Sequence, residues 1–315
     1  MPLYPLSLYP LSLYPFAPFP LSLAIRVEFG LSTHIVYPER LSRRHLDALA
    51  ESAFTRVELF ALRSHFDYHD PGAVQALRAW LSETGLALHS VHAPITNELR
   101  NSVWGEPFSI GASDASRRTT AVQEAARALA IADEIPYGYL VVHVGVPDQY
   151  ATPDDNRHDA VRRSLEELQA LAAPRGVHLA LEVIPNALST PDALVRLVDE
   201  ELEIPGAGLC FDFGHAFLMG DVVDGIEACS GHLLTTHVHD NGGTRDDHLL
   251  PFRGGIDWAS ATTALQKIGY DGALVLELAA SADLNVTLDA ARDVRHRLEP
   301  LLDPAQADWN PWSGL

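Results

Sequence analysis

A chain of 315 residues, 47% of them hydrophobic and with mean hydropathy near zero, can bury one large core, as a single barrel-sized domain or as two smaller ones. Its 42 acidic against 22 basic residues give a formal net charge of −20, which opposes binding to nucleic acid or to anionic membranes unless one face is locally basic, and no Lys/Arg cluster in the sequence supplies such a face. The single lysine, Lys267, leaves Schiff-base chemistry and a phosphate-cradling loop almost without a candidate, and two cysteines outside any Cys-x-x-Cys pair, Cys210 and Cys229, point to a reducing cytoplasm.

In chain order, residues 1–22 are a separate material. Tyr4-Pro5, Tyr9-Pro10 and Tyr14-Pro15 recur in a stretch without charge or glycine, and Pro18 and Pro20 follow. That proline density excludes a helix, and neither a signal peptide nor a membrane span fits. The expectation is a disordered or polyproline-like extension, then a barrel domain over 23–302 and a tail over 303–315.

From Ala24 onward two periods alternate. Strand-like runs are Ala24–Phe29, Arg56–Phe60, Ala87–His92, Tyr139–Val144, His178–Ile184, Gly208–Phe213, Leu233–His239 and Ala273–Leu278. Helical spacing fills Arg44–Ser52, Ala73–Thr84, Thr119–Ile135, Arg157–Ala173, Pro191–Glu200, Val222–Ser230, Trp258–Ile268 and Leu284–Leu302. Thr190 and Asp257 stand as N-caps, and Gly85, Gly176 and Gly269 as stops. Strict alternation of eight strand–helix units predicts an α/β fold, a closed (β/α)8 TIM barrel in one domain.

In such a barrel the chemistry belongs at the C-terminal ends of the strands. Six of those ends carry an imidazole or carboxylate: His92, His143, Glu182, Asp212 with His215, His237 with His239 and Asp240, and Glu277. A glycine-rich loop with Asp246, Asp247 and His248 follows the seventh. Each alone reads as a hydrogen-bonded core residue, but buried carboxylates converging with imidazoles on one rim need a compensating cation. Without thiolates, that cation is a hard or borderline divalent ion: manganese, zinc, cobalt or magnesium.

The ordered set His92, His143, Glu182, Asp212-x-x-His215, His237-x-x-Asp240, Asp246-x-His248 and Glu277 resembles the xylose isomerase-like barrel superfamily over about residues 24–302. That superfamily includes sugar and sugar-phosphate isomerases and epimerases, inosose dehydratases and endonuclease IV. The resemblance implies one divalent ion held by Glu182, Asp212, His237 and Glu277, with His215 touching the substrate. It also implies that Glu182 and Glu277 act as the proton-transferring pair of an isomerase or epimerase, through a metal-stabilised enediolate. Endonuclease IV enlarges the same frame to three zinc ions, for which His92, His143, His215, Asp246 and His248 stand at corresponding places. The alternatives are therefore a zinc phosphodiesterase acting on abasic DNA and a dehydratase or lyase acting on keto-sugars or inososes. The charge balance favours a small carbohydrate partner over nucleic acid, with no membrane; an oligomer of identical chains stays open.

Three features lie outside that set. Relatives often show Gly-Glu-Gly before the Ile-Asp of this loop, where this chain runs Pro251-Phe252-Arg253-Gly254-Gly255-Ile256-Asp257; Arg253 replaces the acid with a cation and is either a solvated loop residue or an anchor for a substrate phosphate or carboxylate. The connection from Ile95 to Ser113 is long and holds Trp104, which suggests a lid over the substrate. His34 and Glu58, near the ends of the first two strands, are candidates for a sugar hydroxyl.

Overall fold

The computed structural model describes residues 27–303 apart from Ser102 and Glu203. The extension 1–22 and nearly all of the tail expected over 303–315 lie outside the described residues.

Ten strands are described: β1 (Glu28–Ser32), β2 (Arg56–Phe60), β3 (Ala87–His92), β4 (Leu99–Arg100), β5 (Val103–Trp104), β6 (Tyr139–His143), β7 (His178–Glu182), β8 (Gly208–Asp212), β9 (Leu233–Val238) and β10 (Ala273–Leu276). Eight of them close a parallel barrel in the order β1-β10-β9-β8-β7-β6-β3-β2, while β4 and β5 form a separate antiparallel pair. Helices follow the barrel strands and bury apolar stripes such as Leu46 and Leu49, or Val161, Leu165 and Leu168, against them. Each such side chain contributes roughly 1.5–3 kcal/mol by burial. No helix among the described residues is long and apolar enough to cross a membrane.

Alternation along each strand decides what enters the barrel. Val141, Ala180 and Cys210 pack together as a small cluster inside it. Two residues further on, the same pleat face presents His143, Glu182 and Asp212. In register, His143 lies level with Glu182, and Asp212 with His237. The polar rim thus rests on a floor of small apolar side chains, as the layered interior of such barrels requires.

Three local expectations are corrected. The first strand runs Glu28–Ser32 rather than Ala24–Phe29, because its register is set by pairing Glu28–Leu31 with Ala273–Leu276. The sixth strand stops at Asp212, which N-caps a helix over Phe213–Met219 that periodicity did not reveal. The last barrel strand ends at Leu276, leaving Glu277 just beyond the ladder. The connection after β3 holds the β4–β5 hairpin, clipped at its base by a bridge between Thr96 and Pro107.

Candidate functional site

The strand ends converge as the pattern predicts. One ligand atom from each of Glu182, Asp212, His237 and Glu277 lies within 4.8 Å of all the others, and all four residues are buried. His237 stands between carboxylates. Its Nδ1 is 3.1 Å from Glu182 Oε1, 3.5 Å from Glu277 Oε2 and 3.8 Å from Asp212 Oδ2, and its Nε2 is 3.1 Å from Glu58 Oε2. His92 and His143 each bring Nε2 to 3.1 Å from Glu182 Oε2. Neither is aligned as a hydrogen bond, so this buried oxygen has close donors and accepts from none.

A second group adjoins the first. His215, His239, Asp246 and His248 also offer atoms within 4.8 Å of one another. His215 Nε2 and His248 Nε2 lie 3.1 and 3.0 Å from Asp246 Oδ2, and His239 Nε2 lies 3.0 Å from Asp212. His239 Nδ1 and Asp246 Oδ1 are buried without a hydrogen-bond partner. The sequence reading left His239 without a role. The signal was there, since His239 lies two residues after His237, on the same face as the chain leaves β9.

The rings are oriented from behind. His92 Nδ1 donates to the Ala93 carbonyl, His215 Nδ1 to that of Val183, His248 Nδ1 to that of Glu277 and His34 Nδ1 to that of Leu278, over 2.8 to 3.1 Å. Each Nε2 is thereby left free to face inward as a ligand or acceptor, the usual outer support of a metal-binding imidazole. Asp212 has two duties. Its Oδ1 accepts the His215 backbone N–H at 2.7 Å, capping the helix Phe213–Met219, while its carboxylate also meets His239. Gly214 is needed there, because a Cβ would lie 2.0 Å from the His239 ring. Donor chemistry and orphaned buried atoms together fit a divalent cation.

Without that cation, protons balance the charge. Burial alone would raise the Glu182 carboxyl, but His143 and His237 hold it well below the usual range. Burial likewise opposes charge on His215 and His237, yet Asp212 and Asp246 hold the first well above 6.5, and Cys210, Glu277 and Glu58 the second. His92 loses by burial and gains more from Glu182, reaching about 9. A folded value above the unfolded 6.5 gives stability that is complete below about pH 6.5 and lost as pH rises through 9. Chelated protein is therefore expected to lose roughly 3 kcal/mol of stability between those limits through His92. Chemical denaturation at stepped pH checks it, and a flat profile removes protonated His92 from the account.

A cavity of about 580 Å³ opens over the cluster. Glu182, Glu277, His92, His143, His215, Asp246, His248, His34 and Trp104 all line it. Asp212 and His237 do not, being fully buried behind them. Two expected substrate contacts are not brought to the cavity. Glu58 lies two residues before the end of β2, fully buried, its carboxylate accepting from Ser90 Oγ at 2.7 Å and meeting His237. Arg253 is exposed, because the neighbouring Phe252 and Ile256 backbone N–H groups turn inward onto Asp240. Asp240 also accepts from Asn241 N and from Trp258 Nε1 at 3.0 Å, so it anchors the loop rather than facing the cluster. No lysine or arginine lines the cavity among the described residues.

The family profile of the xylose isomerase-like TIM barrel matches residues 46–301, most of the chain. The chain belongs to this family. An uncharacterised protein of Methanocaldococcus jannaschii is 27% identical over 259 residues, covering 80% of this chain and 83% of its own. An inosose isomerase of Bacillus velezensis is 28% identical over 127 residues, 36% of this chain and 44% of its own. Among solved structures, a D-tagatose 3-epimerase-like protein superposes with a TM-score of 0.71 at 22% identity, over 87% of this chain and 98% of that one. Another solved structure, of the IOLI protein with a bound zinc atom, gives a TM-score of 0.67 at 16% identity over 88% and 98%. At these identities the two structures share the fold.

Proposed function

We propose that this protein is a divalent-metal-dependent sugar isomerase or epimerase that moves a proton at the carbon beside a carbonyl. The observation that carries this reading is the division of the central cluster. Glu182 and Glu277 reach the cavity, whereas Asp212 and His237 are sealed behind them. Two residues can thus serve only the ion, and two can serve ion and substrate together. An inosose isomerase among its relatives and an epimerase-like protein of the same fold agree with that chemistry.

Glu182, Asp212, His237 and Glu277 would hold one ion. When bound, manganese, zinc, cobalt or magnesium would supply Lewis-acid polarisation of the substrate carbonyl and its neighbouring hydroxyl. β7 and β10 stand three places apart around the ring, so their glutamates approach a bound carbon from different directions. One carboxylate takes the proton and the other returns it. Burial would raise the Glu277 carboxyl, but His237, His34 and His248 lower it, which keeps it ionised as a base at neutral pH. His215, fixed by the Val183 carbonyl, hydrogen-bonds a substrate oxygen.

The second group gives a phosphodiesterase of the endonuclease IV type its only specific support, because it offers donors for further ions. The cavity lining argues against that reading, since no guanidinium or ammonium among the described residues is there to meet a phosphate. A dehydratase or lyase would share the first proton transfer and differ in product.

Turnover of ketoses in deuterium oxide tests the proposal. The metal-loaded enzyme is expected to place deuterium at the carbon beside the carbonyl. Product without deuterium means a hydride shift, and faster cleavage of an abasic duplex than conversion of any sugar means a nuclease; either result overturns the reading.

A further inference from the structure

The cavity extends well beyond its acid–imidazole floor. Its volume of about 580 Å³ falls within the roughly 300–1,000 Å³ of pockets that take drug-sized ligands, and proton transfer beside a carbonyl needs only one open-chain ketose unit at the floor. One wall is a column of rings. His248 stacks on His34 at 4.8 Å between centroids, His34 lies against Tyr37 at 4.7 Å, and Tyr37 stacks on Trp104 at 5.1 Å. The inner end of the column is bonded to Asp246. The outer end is apolar, and Trp104 remains 41% exposed on the β4–β5 hairpin. Tyr150, 67% exposed, lines the same cavity with Phe108 and Val146. Exposed aromatics grouped at a cavity mouth mark a surface that something covers.

We propose that this outer zone is a second subsite, which takes the neutral, non-reacting ring of a glycosylated ketose while the open-chain ketose unit that reacts sits at the floor. The inference rests on the isomerase or epimerase reading and names its substrate class: uncharged glycosides of ketoses rather than sugar phosphates. A sugar ring has a CH-rich face that packs on an indole and leaves its hydroxyls to water, which suits a half-exposed tryptophan. A phosphate in that zone would approach Asp247 with no lysine or arginine in the lining, and the nearby Arg245 guanidinium is paired with Asp247 at 2.7 Å. A second copy of the chain is the other way to cover Trp104.

A series matched at one carbon decides between these. Fructose, fructose 6-phosphate and isomaltulose carry a hydroxyl, a phosphate and a glucosyl ring at carbon 6. Titration calorimetry of the metal-loaded protein is expected to give isomaltulose about 10-fold tighter binding than fructose, and fructose 6-phosphate the weakest. Trp104→Ala is expected to abolish the isomaltulose advantage and leave fructose unchanged. The subsite is overturned by equal binding of fructose and isomaltulose, by tightest binding of the phosphate, or by no binding of any of the three. It is also overturned if Trp104→Ala alters only the sedimentation behaviour, which assigns the indole to a dimer contact. Deuterium incorporation is measured in parallel. The expected binding order without deuterium in any sugar overturns the isomerase reading and leaves the subsite standing.

Discussion

Asp212→Asn is expected to lose the proposed divalent ion and at least about 10³-fold in turnover, while the barrel stays folded. The carboxylate is one of the four converging groups proposed to hold the ion, and its Oδ1 also accepts the His215 backbone N–H. Asparagine keeps an oxygen for that cap but gives up the charge, and places an amide where His239 now meets a carboxylate. Metal analysis and thermal melts in the presence of chelator check this: no bound metal, with a melting temperature near that of chelated wild type. Asp212→Ala is the contrast, since it also removes the cap and costs about 0.5–2 kcal/mol. Full metal content with full activity in Asp212→Asn rules out the central cluster as the working site.

The second large effect separates ligation from proton transfer. Glu277→Gln is expected to keep the ion and the substrate affinity, yet slow deuterium exchange at the substrate carbon by about 10²–10⁴-fold. The glutamine is isosteric, and its backbone carbonyl continues to hold His248 Nδ1, a bond of 2.9 Å that owes nothing to the side chain. Glu182, Asp212 and His237 would remain to hold the ion. Metal analysis beside the exchange rate distinguishes the outcomes. Loss of metal in step with rate makes Glu277 a ligand only, and an unchanged rate removes it from the reaction.

The barrel was legible because strand and helix periods alternate cleanly, and most of the rim because ligand residues occupy strand ends. What escaped was set by tertiary pairing. The start of β1 follows from pairing with Ala273–Leu276, not from the apolar run that precedes it. The helix Phe213–Met219 is seven residues long, too short to show a period, and is fixed by the Asp212 cap. His239 was passed over because the family pattern carries His237 and Asp240, although strand alternation puts His239 on the interior face. Arg253 stayed undecided between solvent and substrate because nothing local reveals that Asp240 draws in the N–H groups of Phe252 and Ile256, which leaves the side chain between them exposed.

That grip by Asp240 separates what can change from what cannot. The carboxylate fastens both ends of the segment after β9, at Asn241 and at Phe252, Ile256 and Trp258, and backbone hydrogen bonds between Asp240 and Leu249 reinforce it. Between the fastenings, Gly242 to Arg245 form an exposed tip. Doubling the length of such a tip costs only about 0.6 kcal/mol in closure entropy, and the strain ends at the fastenings before it reaches His237. Selection can therefore redraw this side of the cavity mouth by insertion while Glu182, Asp212, His237 and Glu277 beneath it hold their places, which gives a single ancestral floor a cheap route to many different substrates.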